Sequence, residues 1–439
     1  MAAGEEGKAL RRFDQATTQR TTTSHPLSAT TTTRPLGQSA ARRRGRMVPI
    51  IIVISALLIS ALLVFVSSGL NFLPASFFHS GRPATTANAA LGAQKIVGHV
   101  YFVSSGQIHQ DTSEGIADQV QISLTSISNP AAGKALYAWL LSDDAVESQS
   151  VLLGKVAVQH GIVNLRYTGD QQHTNLLDFA NRFLITEEDA SITPNMPSLD
   201  KSTWRFSAQF PQTPDPLDSV HHFSLLNHLR HLLSTDPTLK KLGLPGGLDI
   251  WLFRNTQKIL EWAGGARDDW SQHSAALMHR YMIRILDYLD GLNFVQNDVP
   301  AGTPVLTDPQ IARAGLLEIN ANQEPPGLLY HVGVHLQGIV QSPGSSTEQH
   351  ALANQINTAI NKVQALLEQV HKDARQLVTF SDAQLLQPPA LALLDDLVKN
   401  AQDAFMGQFD PTTGEIQDGV TQIHFAVARL ATMNVAVAS

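Results

Sequence analysis

Val48 to Val66 is a run of nineteen residues without a charge, and Arg42, Arg43, Arg44 and Arg46 stand directly before it. A transmembrane helix needs roughly 20 mostly apolar residues to cross the hydrocarbon core, where backbone groups must satisfy one another. The run therefore predicts a single membrane span. Pro49 falls in its first turn, where a missing N–H costs little. By the positive-inside rule, the arginines keep residues 1–47 in the cytoplasm as an uncleaved signal anchor and send 67–439 across the cell membrane. Ala87-Asn88-Ala89 has the form of a signal-peptide cleavage site, but it lies about twenty residues beyond the run, behind too long a leader.

Charge divides at the same place. Residues 1–47 hold nine Lys/Arg against Glu5, Glu6 and Asp14, a balance of +6, so a chain at −7 overall leaves about −13 for the rest. An acidic outer part argues against nucleic acid as a ligand. The chain has no cysteine, which excludes disulfides, thiol catalysis, iron–sulfur clusters and thiolate zinc sites. Residues 1–47 are threonine-rich among arginines without apolar periodicity, and read as a disordered tail. Residues 67–94, rich in Ala, Ser, Thr and Pro, read as a flexible spacer.

From Lys95 the apolar period becomes that of strands. Ile96–Val103, Gln119–Ile127, Ala135–Leu141, Ser150–Gln159, Ile162–Thr168, Arg182–Thr186 and Trp204–Phe210 are separated by Gly, Pro, Asn and Asp turns, with His160-Gly161 suited to a tight hairpin. Seven short strands at that spacing predict a β-sandwich over 95–210. Within it, Gly133-x-x-x-Tyr137-x-Trp139-Leu140, Leu153-Gly154-Lys155-Val156, Gly161 and Leu184-Ile185-Thr186-Glu187-Glu188 resemble the extracytoplasmic domain of anti-sigma-K-type membrane anti-sigma factors over roughly 97–190. The resemblance implies an outer β fold. Anti-sigma-like signalling would have to run through the short tail, since the chain lacks those factors' folded cytoplasmic domain and His/Cys zinc motif.

Beyond the prolines of 211–216 the period is helical, with helices expected at Leu217–Ser234, Leu248–Ala263, Asp269–Asp290, Asp308–Glu318, Leu328–Gln341, Thr347–Val378, Ala390–Met406 and Val420–Val435. One apolar stripe on each predicts an all-α bundle over 217–436. The predicted fold class is thus a single-pass membrane protein with an extracytoplasmic all-β sandwich followed by an all-α helical bundle.

Motifs for familiar enzymes are missing: there is no GxGxxG, Walker loop, GxSxG elbow or HExxH. Histidines are the exception. At ~100° per residue, His221, His228 and His231 share the polar face of the first expected helix, with His222 alone turned toward the core. His331 and His335 are four apart, the spacing at which two imidazoles of one helix can hold one ion, and they border an apolar face. Glu368-x-x-His371 has the form used in di-iron bundles, but no second Glu-x-x-His exists and the wheel turns Glu368 toward water. Two functions follow. The first is a non-enzymatic membrane-anchored binding, sensing or structural protein, without cofactor, meeting an unknown extracytoplasmic protein or ligand. The second is a bundle binding a divalent transition metal or haem through His221, His228, His231, His331 or His335.

Overall fold

Seven strands form where the period-2 pattern places them, in a computed structural model that describes residues 95–109, 112–142, 149–305, 312–320 and 322–438. They are β1 (Ile96–Val103), β2 (Gln119–Leu124), β3 (Lys134–Ser142), β4 (Ser150–Val156), β5 (Val163–Tyr167), β6 (Ala180–Asp189) and β7 (Trp204–Gln209). Between β4 and β5, His160 and Gly161 have φ of 53° and 77°, the pair of left-handed residues that a type I′ hairpin requires.

The helices follow: α1 (Leu225–Leu233), α2 (Pro237–Lys241), α3 (Leu248–Ser271), α4 (Ala275–Asp290), α5 (Leu328–Gln341), α6 (Thr347–Val378), α7 (Asp382–Leu385), α8 (Pro388–Met406) and α9 (Val420–Leu430). A small hairpin of β8 (Gln408–Asp410) and β9 (Glu415–Gln417) precedes α9, and β10 (Thr432–Val437) follows it. Capping boxes open α1 (Ser224 with Asn227) and α6 (Ser346 with Gln349).

Of the helices that differ from expectation, three do so for local reasons. Residues 215–223 are a turn, because the Asp218 carboxylate accepts the N–H groups of Val220, His221 and Phe223 and so offers the backbone an alternative to helix. Gly264-Gly265 does not end α3. A Cβ on Gly265 would lie 3.0 Å from the Tyr281 ring, so the glycine serves the close approach of α4. The described part of the helix expected at 308–318 is a strap of turns and bends, whose Leu316 and Leu317 N–H groups donate to Tyr288 O and Leu289 O at the end of α4.

The two-sheet expectation is corrected by β10. It pairs antiparallel with β1 (His99↔Asn434) and with β7 (Ala436↔Ser207), giving one eight-stranded sheet in the order β4-β3-β6-β7-β10-β1-β2-β5. Its outer strands β4 and β5 are successive in the chain and approach each other, so the sheet is a nearly closed barrel rather than a sandwich. The strand was hidden because residues 420–435 satisfy either period. The interior of the sheet (Phe102, Ile122, Leu140, Phe183, Val435) and the buried faces of the helices form one continuous core. A second, outer cluster of Tyr137, Trp139, Leu141 and Leu184 lies under the loop before β7, where Trp204 Nε1 donates to Ser198 O at 2.8 Å.

The membrane expectation is also corrected. Among the described residues no helix is long and apolar enough to cross a membrane. Even α6, at 32 residues, carries Glu348, Lys362, Glu368, Lys372 and Arg375 opposite its buried stripe. The tail, the stretch 48–66 and the spacer lie outside the described residues. Single-pass architecture, signal anchor, integral membrane partnership and cell-membrane localisation are therefore not retained.

Candidate metal centre

The C-terminal end of α1 is pinned to the segment that connects β5 to β6. Asn175 Nδ2 donates to Leu233 O at 2.7 Å and Arg230 Nε donates to Leu177 O at 2.9 Å, while Ser234 Oγ donates to the Asp178 carboxylate. The start of α5 hangs from the strap, with Leu328 and Leu329 N–H donating to Gly315 O and Leu316 O. These anchors set the polar stripe of α1 against α5, and four imidazoles meet in the seam.

His335 is their centre. Its Nδ1 lies 2.9 Å from His228 Nδ1, and its Nε2 lies 3.3 Å from both His231 Nδ1 and His331 Nε2. A carboxylate that the histidine pattern did not point to completes the group: Asp236 Oδ2 stands 3.8 Å from His231 Nδ1, 3.7 Å from His331 Nε2 and 3.9 Å from His335 Nε2. Asp236 is buried, and its Oδ1 accepts the N–H groups of Thr238 and Leu239 at 2.9 Å each as the N-cap of α2. The cap fixes the carboxylate and turns Oδ2 toward the imidazoles. The signal for it was Asp236-Pro237, an N-cap followed by proline at the first helical position.

His221 does not join them. It lies in the turn before α1, exposed, 3.6 Å from Asp218 Oδ1 and stacked on Phe223 with ring centroids 5.0 Å apart. His222 is exposed with φ of 53°, so it does not face the core. Phe223 covers the cluster, presenting its ring at 4.7 Å to His231, 5.5 Å to His228 and 6.1 Å to His335.

Burial sets the protonation of these rings. It pushes His228 and His231 down to about 4, and lowers His331 against the pull of Asp236. His335 goes well below its ordinary value through burial first and the neighbouring imidazoles second. At neutral pH the rings are therefore neutral, the form in which imidazole offers a lone pair to a metal.

No family model matches the chain. Neither a curated protein nor a solved structure matches it. The likeness of residues 97–190 to the anti-sigma-K-type domain thus rests on its own residues alone.

The remaining sequence candidates fall elsewhere. Glu368 pairs with Gln364 at the surface, as the wheel requires, but His371 turns inward to meet Asp290 and Asp298. A second buried pair, His424 with Asp249, ties α9 to α3.

Proposed function

We propose that this protein binds a divalent transition-metal ion, zinc by its ligand set, between α1 and α5 through His231, His335, Asp236 and His331. The observation that carries the reading is the convergence of His231 Nδ1, His335 Nε2 and Asp236 Oδ2, three buried ligand atoms mutually within 4.8 Å. Zinc bonds of about 2.0–2.1 Å in a tetrahedron put ligand atoms about 3.3–3.4 Å apart. The two nitrogen contacts of His335 Nε2 are 3.3 Å.

Hydrogen bonding alone accounts for the cluster poorly. A neutral imidazole nitrogen carries one proton or one lone pair, whereas His335 Nε2 has two nitrogens and a carboxylate oxygen around it. One cation satisfies all of them. His228 then has an outer role: His335 donates from Nδ1 to His228 Nδ1, which fixes the tautomer that leaves Nε2 free. Haem does not suit the site, because imidazole nitrogens in direct contact leave no room for a macrocycle between them. With Phe223 closing over the rings, the role assigned to the ion is structural, cross-linking the two helices. Elemental analysis of the purified full chain should find about one equivalent of metal. Chelation should lower its melting temperature and zinc restore it. Less than about a tenth of an equivalent, with a melting temperature indifferent to zinc, would overturn the proposal.

A further inference from the structure

We infer a second, separate cation site, formed by Asp290 Oδ1 at the end of α4, Asp298 Oδ2 in the following turn and His371 Nε2 on α6, and suited to an octahedral, oxygen-preferring divalent ion such as Mn2+. These three atoms lie within 4.8 Å of one another. His371 Nε2 is 2.8 Å from each of the two carboxylate oxygens. Cis ligands on an octahedral ion with bonds of about 2.1 Å stand about 3.0 Å apart, closer than tetrahedral zinc places them. The spacing and the two carboxylates both separate this site from the imidazole cluster.

The independent sign of a missing partner is Asp290. Its side chain is 1% exposed, yet neither carboxylate oxygen receives a well-formed hydrogen bond. A buried carboxylate whose nearest donor, the His371 imidazole, is already directed at Asp298 is costly, and a cation removes the cost. His371 directs its Nε2 proton to Asp298 Oδ2, and Arg375 Nε lies 3.1 Å from Asp298 Oδ1. In the ion-free protein the imidazole proton thus occupies the place of the ion. Burial alone would lower the His371 pKa, but the carboxylates carry it above its ordinary value. Burial raises the Asp290 carboxyl as well, against the pull of His371. Loading the site releases the His371 Nε2 proton to solvent, and the ion keeps water at its other positions.

The test uses the chelator-stripped full chain carrying His335→Ala, which removes the imidazole centre. Mn2+ is titrated and free Mn2+ followed by electron paramagnetic resonance. One bound ion is expected, with affinity reduced at least tenfold by Asp290→Asn and by Asp298→Asn. The partly exposed Asp298 makes the second variant the safer one for folding. Arg375→Gln is expected to tighten Mn2+ binding by removing a competing cation, an outcome that a purely structural ion-pair network would not give. No binding up to about 1 mM Mn2+, or an affinity in both Asp variants equal to that of the parent protein, would overturn the site.

Discussion

Asp236 carries two duties on two oxygens, and a single substitution separates them. Asn keeps an oxygen to cap α2 but puts an amide where Oδ2 faces the imidazoles. Asp236→Asn is thus expected to leave the ion-free melting temperature within a few degrees of wild type and to weaken zinc binding at least tenfold, read by calorimetric titration. The imidazoles also predict an acid-labile fold. His228 and His231 titrate near 6.5 when unfolded and at about 4 when folded. The unfolded chain therefore takes up protons first as pH falls. Stability is full above about 6.5 and is lost progressively toward about 4, by up to roughly 1.4 kcal/mol per pH unit for each group. Urea midpoints of the stripped protein at pH 7.5 and 5.0 should differ, and His231→Gln should shrink the difference. Equal midpoints would mean these rings are not buried as neutral bases.

Helices α1 and α5 meet through a glycine. A Cβ on Gly338 would fall 2.2 Å from the His228 ring, so Gly338→Ala must displace the imidazole that orients His335. A loss of about 1–3 kcal/mol of stability with weakened zinc binding is expected from denaturant and metal titrations, whereas alanine at Gly264, which meets nothing within 4 Å, should be tolerated. At this scale the sequence was legible where one period dominated. Leu328–Gln341 and Thr347–Val378 are helices with the expected bounds. His331 and His335 were readable as a pair because i, i+4 spacing lies on one element. What spacing could not supply was the meeting of elements far apart in the chain. Asp290 and His371 are eighty-one positions apart and Asp249 and His424 one hundred and seventy-five. The wheel placed Glu368 in water but could not see that α4 ends against the adjoining face of α6.

Across the whole molecule, the last strand decides the architecture. β10 sits between β1 and β7, so the helices are inserted between strands of one sheet. Residues 95–438 accordingly belong to one compact unit. Ending the chain before Thr432 should divide the sheet into its three- and four-stranded parts and replace a single cooperative thermal transition by a broad one. A sharp transition near the wild-type temperature would show that β10 is dispensable. The same insertion sets α1, one wall of the imidazole seam, against the connection between β5 and β6, where Asn175 donates to Leu233 O and Arg230 donates to Leu177 O. The central claim, that this seam holds a metal, is tested most directly by loading the stripped full chain with Co2+ and recording its visible spectrum. An intense tetrahedral d–d absorption at about one equivalent, lost in Asp236→Asn and His335→Ala, is the predicted result. A spectrum no different from that of aqueous Co2+ would contradict it.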